Sequence, residues 1–269
     1  MKNGYQIIDA HCHIYPEKIA QKAVAGTDTF YGTIAKCLGT TADLSDQDKK
    51  CGIDHSLVQS VATTPKQVRS INQFIADEVS RSDSKLTGLG TLHPNSEDLR
   101  SDVENIISLG LVGVKLHPDI QKFKIDDYRC LKIYELCEHF NLPILMHTGD
   151  SRYDYSNPNR LVPVLKIYKN LTVIGAHFGG WSIWEEASKK LCDLENLYVD
   201  CSSTFAWVKN DTVLQMIRRY GAKRVLFGTD FPMWSPVEEV ERFFTLDLTD
   251  DEKRAILSEN AKKVYNIHV

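Results

Sequence analysis

Short runs rich in Val, Ile and Leu recur along the whole chain. They are four to seven residues long, and most lack a strict alternation of apolar and polar positions. Continuous apolar runs of this length are typical of parallel strands that are buried on both faces. The sequence therefore predicts eight strands, at residues 7–13, 57–61, 86–92, 111–116, 143–147, 171–176, 197–200 and 224–228.

Stretches in which apolar residues recur every three or four positions follow the last seven of these runs. This spacing places the apolar side chains on one face of a helix. Ser96 is predicted to be an N-cap, and Thr249 with Glu252 has the spacing of a capping box. Predicted helices cover residues 65–81, 96–109, 126–140, 160–168, 183–191, 211–220, 236–244 and 250–265.

Strands that alternate with helices along one chain predict an α/β fold with a parallel sheet. Eight such units without a Pro/Gly/Ser-rich linker favour a single domain over residues 1–269, folded as a (β/α)8 TIM barrel. A doubly wound open sheet is the competing architecture. The barrel is expected to be slightly elaborated by a long loop after the first strand and by an extra C-terminal helix.

Residues 14–55 carry mixed signals and are predicted to form that long loop. Pro16 and several glycines interrupt them, and residues 44–50 have the pattern of a short helix. Loops of this length usually serve as lids or walls of functional sites. The loop is therefore expected either to cap a pocket or to make a contact in a homodimer.

The charge of the chain is low and evenly spread. The 32 basic and 36 acidic residues give a formal net charge of −4, and the absence of a basic stripe argues against nucleic acid as a partner. The 7 cysteines include no C-x-x-C pair, which is typical of a reducing compartment. No apolar run approaches the roughly 18 residues of a membrane span. We expect a cytoplasmic protein that acts on a small-molecule substrate, with no membrane partner.

Six of the nine histidines lie at the carboxyl ends of predicted strands or directly after them. In a (β/α)8 barrel the carboxyl ends of the strands meet at one face, where the chemistry takes place. Because strand ends are a small part of the chain, this concentration predicts a histidine-rich site. The six are His11, His13, His93, His117, His147 and His177.

Four residues at these strand ends are predicted to bind a metal. His11 and His13 are two residues apart, so in an extended strand they project from the same face. With His147 and Asp230 they make three imidazoles and one carboxylate, a sufficient ligand set for zinc or a similar divalent ion. Taken singly, His147 could be a core histidine and Asp230 a turn residue. Their occurrence together favours the metal site.

Other side chains near the strand ends are candidates for catalysis and substrate binding. His177 is placed to act as an acid or base beside a metal-bound water. Lys115 and His117 are two residues apart and are candidates to point into the barrel, although His117 precedes a proline and has a loop-shaping alternative. Arg152 could hold a substrate carboxylate, with a solvent-exposed charge as the alternative. Trp181 could form a wall of the pocket or pack against a helix.

Five motifs and the closing helix resemble those of the amidohydrolase superfamily. They are Asp9-Ala10-His11-Cys12-His13, Gly113-Val114-Lys115-Leu116-His117-Pro118, His147-Thr148-Gly149, Ala176-His177-Phe178-Gly179-Gly180, Gly228-Thr229-Asp230-Phe231-Pro232 and residues 259–265. More narrowly, the chain is similar to the amidohydrolase-2 branch of TIM-barrel metal-dependent hydrolases, which includes the aminocarboxymuconate-semialdehyde decarboxylase group. The resemblance covers nearly the whole chain, and its motifs are specific for fold and metal site but not for substrate.

This resemblance implies one divalent metal, with zinc as the first choice and manganese as the second. The implied ligands are His11, His13, His147 and Asp230. His177 would handle protons. A variant in the wider superfamily uses a carboxylated lysine to bridge two metals; here it would be Lys115, with His147 and His177 on the second ion. Burial near a metal lowers the pKa of a lysine, which favours carboxylation.

The primary hypothesis for function is hydrolysis of an amide, a lactone or another ester of a small substrate, which could carry a carboxylate. A metal lowers the pKa of its bound water to roughly 7, Asp230 could accept the water proton, and His177 could stabilise developing charge. The alternative is a non-oxidative decarboxylase of an aromatic or unsaturated acid, in which Asp230 and His177 supply a proton to carbon. A non-catalytic metal-binding protein and a metal-free lactonase are further alternatives.

Overall fold

The computed structural model describes all residues from 1 to 269 and contains nine strands. They are β1 (Ile8–His13), β2 (His55–Gln59), β3 (Leu86–Gly88), β4 (Gly90–Thr91), β5 (Val114–Leu116), β6 (Ile144–Met146), β7 (Val173–Gly175), β8 (Leu197–Asp200) and β9 (Val225–Leu226). β3 and β4 are the two halves of the predicted strand 86–92, which Leu89 interrupts. With these halves taken as one, the eight predicted strands are all present.

The strands form two parallel sheets that are joined into a barrel. β1, β2 and β3 pair in order, and so do β4 to β9. The chain itself joins β3 to β4. At the other junction the N–H of Ala10 donates to the carbonyl of Phe227 over 2.9 Å, and Cys12 forms a parallel bridge with Phe231. The structure confirms the predicted barrel.

Twelve α-helices accompany the strands. They are α1 (Glu17–Tyr31), α2 (Thr41–Cys51), α3 (Val68–Ser80), α4 (Leu99–Ser108), α5 (Pro118–Gln121), α6 (Tyr128–His139), α7 (Pro158–Ile167), α8 (Trp184–Leu191), α9 (Asn210–Tyr220), α10 (Pro236–Phe243), α11 (Asp250–Arg254) and α12 (Asn260–Tyr265). A π-helical turn at Ala255–Glu259 joins α11 to α12. Every predicted helix is present. None of the helices is both long and apolar enough to pass through a lipid bilayer.

The two capping predictions have different outcomes. Ser96 is not an N-cap: α4 begins three residues later, and the side chain of Asp98 accepts from the N–H of Ser101 over 3.0 Å. The carboxylate also interacts favourably with the positive end of the helix dipole. Thr249 and Glu252 form the predicted capping box at the start of α11.

Residues 14–55 are mainly helical, so the prediction of a long loop was wrong in this respect. α2 extends the predicted short helix, whereas α1 was not predicted. Ala20 is the one fully buried residue of α1, so its apolar side chains do not trace a stripe that faces the core. Gly26 and two threonines lower its helix propensity further. Tertiary contacts rather than local pattern therefore stabilise α1.

The apolar core has an inner and an outer part. Inside the barrel lie Ile8, Ala10, Leu57, Leu89, Leu145, Ile174, Ala176 and Leu226, and a larger cluster fills the space around them. Side chains of successive strand residues point alternately into and out of the barrel. Full burial of each large apolar side chain contributes about 1.5–3 kcal/mol. The polar residues that end the strands follow these apolar residues along the chain.

Candidate active site

A shift of register in β1 directs two histidines towards the same point. The pairing of β1 with β2 is regular up to Asp9 and resumes at Cys12 one position out of step, which is the signature of a β-bulge. Ala10 still packs inside the barrel. His11 lies within the bulge and His13 beyond it, and both line a cavity at the carboxyl ends of the strands. The predicted common orientation of the two histidines therefore holds.

Three of the four predicted metal ligands converge at this point. Nε2 of His11 lies 3.2 Å from Nε2 of His13 and 3.3 Å from Oδ1 of Asp230. Nε2 of His13 lies 3.6 Å from the same carboxylate oxygen. The backbone N–H of Asp230 donates to the carbonyl of His11 over 2.9 Å, which fixes the two segments together. We call His11, His13 and Asp230 the donor group.

Asp200 orients the first histidine of the donor group. Its Oδ2 lies 2.9 Å from Nδ1 of His11. A carboxylate accepts, so Nδ1 of His11 donates and its Nε2 keeps its lone pair as an acceptor. Burial, with the nearby Lys115 charge, lowers the pKa of His11 well below the usual range of histidine. A neutral imidazole backed by a carboxylate is typical of a metal-binding histidine.

The donor group fits a divalent metal. Burial is also the main reason why the pKa of His13 is well below the usual range, so both rings are neutral, as metal binding requires. The possible ligand atoms of His11, His13 and Asp230 lie within 4.8 Å of one another. Two imidazole nitrogens and a carboxylate oxygen are donors that zinc and manganese accept.

Lys115 lies beside the donor group and is almost fully buried. Its Nζ donates to Nε2 of His11 over 2.9 Å. Burial lowers the pKa of Lys115 to about 8, against the attraction of Asp230 and Asp200. β5 therefore delivers an amine of reduced basicity to the donor group.

Asp230 is fixed by its backbone and by a hydroxyl. Its φ of 60° lies in the left-handed region, which Asp tolerates better than most residues. The hydroxyl of Ser203 donates to Oδ2 of Asp230, and Nε1 of Trp234 donates to the Ser203 oxygen over 2.8 Å. Burial raises the pKa of Asp230 to about 7, with Ser203 and Lys115 acting in the opposite direction. Oδ1 remains directed at the two histidines.

His177 lies between the donor group and the remaining histidines. Its Nδ1 donates to the carbonyl of Ser202 over 3.0 Å, and its backbone N–H donates to Oδ1 of Asp200 over 3.1 Å. Its Nε2 lies 3.2 Å from Nδ1 of His147. Burial lowers the pKa of His177 to about 4, although Asp200 acts in the opposite direction. The φ of His177 is 60°, a conformation that costs energy and often occurs at functional sites.

His147 lies outside the donor group. Its ring stacks on that of His117 with centroids 4.0 Å apart, and its Nε2 donates to the carbonyl of Gly149 over 3.0 Å. The same nitrogen is 3.6 Å from Oδ2 of Asp119. The structure thus brings three predicted ligands together and places the fourth beside His177.

His117 combines both roles considered for it. Its Nδ1 accepts from the N–H of Ile120 over 3.3 Å, so the side chain caps the short helix α5. Its Nε2 lies 2.7 Å from the hydroxyl of Tyr31, and both residues line the cavity. His93 shapes a loop instead, because its Nδ1 accepts from the N–H of Asn95 over 3.2 Å and the residue does not line the cavity.

A cavity of about 710 Å³ adjoins all these groups. Its polar lining includes the donor group, Lys115, His147 and His177. Its aromatic lining consists of Tyr15, Phe30, Tyr31, Trp181, Trp207 and Trp234. Trp181 is thus part of the wall, and α1 covers one side of the cavity. A mostly apolar cavity of this size with a few polar groups is typical of a site for a small ligand.

Arg152 does not line the cavity, in contrast to its predicted role. Asp150 accepts from Nε and Nη2 of Arg152 over 3.0 and 2.8 Å, and the carbonyl of Phe30 accepts from Nη1 over 2.7 Å. Four aromatic rings lie 5.2–5.5 Å from the guanidinium carbon, those of Phe30, Tyr31, Tyr153 and Trp181. The carboxylate of Asp150 already accepts two hydrogen bonds from the guanidinium. Arg152 therefore links the end of α1 to the loop after β6.

A profile of the family described as amidohydrolase matches residues 8–267. The protein belongs to the amidohydrolase family. A comparison with curated proteins finds no match to this amidohydrolase.

Solved structures share the fold of this amidohydrolase. A TIM-barrel protein from Bordetella bronchiseptica is 21% identical, with 96% of this chain and 98% of that chain covered and a TM-score of 0.81. A 5-carboxyvanillate decarboxylase from Sphingomonas paucimobilis is 14% identical. The match covers 98% of this chain and 100% of that chain, with a TM-score of 0.79. A dihydroxybenzoic acid decarboxylase from Polaromonas sp. JS666, with bound manganese and the inhibitor 2-nitroresorcinol, is 16% identical, with 97% of each chain covered and a TM-score of 0.76.

Two residues of the amidohydrolase site were not predicted. Asp200 is the last residue of β8, so the rule that selected the histidines, a polar side chain at a strand end, would also have found it. Tyr31 is the last residue of α1. The sequence carries no signal that Tyr31 lines the cavity. The helix α1 was not predicted, and the ring of Tyr31 contacts residues far away in the chain.

Proposed function

We propose that this amidohydrolase is a divalent-metal-dependent, non-oxidative decarboxylase of a small aromatic acid. The observation that carries the proposal is the cavity with aromatic walls and the donor group at its lining. Flat rings can stack on Trp and Tyr side chains, while a carboxylate oriented towards the donor group would meet the metal site. The same cavity thus has aromatic side chains for the ring of an aromatic acid and a metal site for its carboxylate.

The donor group would hold the metal, with His147 as the proposed fourth ligand. Manganese is favoured over zinc, because similar decarboxylase structures contain manganese. The ion would supply Lewis-acid polarisation of the substrate oxygens. A second ion is proposed only if Lys115 is carboxylated.

Decarboxylation requires a proton at the ring carbon that loses its carboxylate. The carbon–carbon bond breaks, its electron pair stays on the ring, the ring carbon gains a proton and carbon dioxide leaves. Asp230 and His177 both line the cavity and are the proposed proton-handling residues. Lys115, His117 and Trp181 would contact the substrate.

Similar structures support this reaction over hydrolysis, the primary hypothesis from the sequence. Several similar structures are decarboxylases of aromatic acids, among them enzymes for 5-carboxyvanillate and 2,6-dihydroxybenzoate. The hydrolysis of an amide, lactone or ester would use the same donor group, so it becomes the competing outcome of the test.

The test is a screen of manganese-loaded protein against hydroxybenzoates and unsaturated acids, with carbon dioxide release as the readout. The same preparation is assayed against esters, lactones and amides. We expect carbon dioxide release that requires the metal and is abolished in the Asp230→Asn variant. Metal-dependent hydrolysis without carbon dioxide release would overturn the proposal.

A further inference from the structure

We infer that the hydroxyl of Tyr31 donates a hydrogen bond to an oxygen of the bound aromatic acid, so that α1 supplies a substrate-binding residue to the barrel. The inference rests on the proposed function for the class of ligand. The position of the hydroxyl comes from the structure, and the direction of its hydrogen bonds follows from the partners of the two nearby imidazoles.

The hydroxyl oxygen of Tyr31 accepts a hydrogen bond from His117. The N–H of Ile120 donates to Nδ1 of His117 over 3.3 Å, so this nitrogen carries no proton. An imidazole always carries a proton on at least one ring nitrogen, so Nε2 of His117 carries it. Nε2 of His117 lies 2.7 Å from the Tyr31 hydroxyl and therefore donates to it.

The hydroxyl proton of Tyr31 has no acceptor in the protein. The other ring nitrogen near it is Nε2 of His147, at 3.4 Å. That nitrogen already donates to the carbonyl of Gly149 over 3.0 Å, and a carbonyl only accepts. Neither ring nitrogen can therefore accept from the hydroxyl, whose proton is left to point into the cavity that Tyr31 lines.

The ring of Tyr31 is held in this position by its neighbours. It meets the ring of Trp181 edge-on with centroids 5.0 Å apart, and the guanidinium carbon of Arg152 lies 5.3 Å from its centre. In the free protein, a water molecule can accept the hydrogen bond from the hydroxyl, and an oxygen of the acid replaces that water on binding. A carboxylate or phenolate oxygen is the acceptor that such a fixed donor favours.

The test compares two substitutions that each remove one hydroxyl. Tyr31→Phe removes the proposed donor and keeps the ring. Tyr153→Phe is the control, because Tyr153 stacks on Phe30 with centroids 5.4 Å apart but does not line the cavity. Both variants and the wild type are loaded with manganese, their metal content is measured, and 2-hydroxybenzoate is titrated into each in a calorimeter.

We expect Tyr31→Phe to bind 2-hydroxybenzoate about 10-fold or more weakly, since a hydrogen bond to a charged group is lost. Its manganese content should equal that of the wild type, and Tyr153→Phe should bind with wild-type affinity. Equal affinity in Tyr31→Phe would overturn the inference and leave the proposed function intact, as would a loss of manganese that explained the weaker binding. No binding to the wild type, together with no carbon dioxide release from any acid, would overturn both.

Discussion

At the scale of single residues, the site depends on which nitrogen of each imidazole carries its proton. A carboxylate and two backbone carbonyls each accept from one ring nitrogen, in His11, His147 and His177 respectively. Because these acceptors cannot donate, they fix the tautomers. The opposite nitrogens are then free to bind a metal or to exchange a proton.

Substitution of Asp200 by Asn tests this dependence. We expect Asp200→Asn to weaken manganese binding about 10- to 100-fold, because the amide no longer favours the tautomer of His11 that leaves Nε2 free. Its oxygen can still accept from the backbone N–H of His177 and of Ser202, so the loop after β8 should keep its fold. Affinity is measured by titration of manganese into the apoprotein. Asp193→Asn, at an exposed site before β8, is the control, and equal affinities would contradict this role.

The sequence could identify most of these residues but not their orientations. The two-residue spacing and the strand ends select the histidines and Asp230, since the period of a strand is fixed. The partner of each ring nitrogen depends on contacts between residues far apart in the chain, such as His11 with Asp200 or Arg152 with Phe30. The guanidinium of Arg152 is directed away from the cavity lining by such a contact, because it donates to the carbonyl of Phe30 as well as to the neighbouring Asp150.

At the scale of elements, α1 is held over the cavity by Arg152. The guanidinium joins the carboxylate of Asp150 to the carbonyl at the end of α1 and lies among aromatic rings. Lysine cannot form this bidentate, stacked arrangement. The attachment of α1 to the barrel therefore depends on an arginine at this position.

We expect Arg152→Lys to loosen α1, with an increase in amide hydrogen exchange over residues 17–31 and a loss of about 1–2 kcal/mol in the free energy of unfolding. Arg129→Lys is a matched control, since Arg129 makes the same fork with Asp127 two residues earlier but lies away from α1. Hydrogen exchange followed by mass spectrometry distinguishes the two. The same exchange in both variants over residues 17–31 would contradict the role of Arg152.

A second prediction for the elements concerns the contact of α2 with β2. Burial raises the pKa of Asp48 to about 8; its Oδ2 accepts from the hydroxyl of Ser56 over 2.8 Å, and its Oδ1 has no partner. The unfolded carboxyl titrates near pH 4, so between about pH 4 and 8 the folded state binds more protons. Asp48 therefore makes stability fall as pH rises, by up to about 1.4 kcal/mol per pH unit.

We expect Asp48→Asn to reduce this loss of stability, because the amide has no proton to release. Urea unfolding at pH 5 and pH 8 measures the difference between variant and wild type. Asp46→Asn is the control, since its side chain on the same helix is 68% exposed. If the free energy of unfolding fell between pH 5 and pH 8 by the same amount in Asp48→Asn as in the wild type, the role of Asp48 would be contradicted.

At the scale of the whole molecule, the barrel could be predicted because its strands are short apolar runs in regular alternation with helices. The detailed shape of the cavity could not be predicted from the sequence. Its walls combine α1 with loops after several strands, and no local pattern relates Tyr31 to Trp181 or Trp207 to Trp234. The fold thus follows from periodicity, whereas the shape of the site follows from contacts between distant segments.

We propose that one divalent ion at the donor group makes the cavity catalytic. Elemental analysis of protein purified without chelators and loaded with manganese tests it most directly, on the wild type and on the His11→Ala and Lys115→Ala variants. We expect about one ion per chain, lost in His11→Ala and retained in Lys115→Ala. No metal in the loaded wild type, or a full complement in His11→Ala, would contradict the claim, and two ions with one lost in Lys115→Ala would replace it with a lysine-bridged pair.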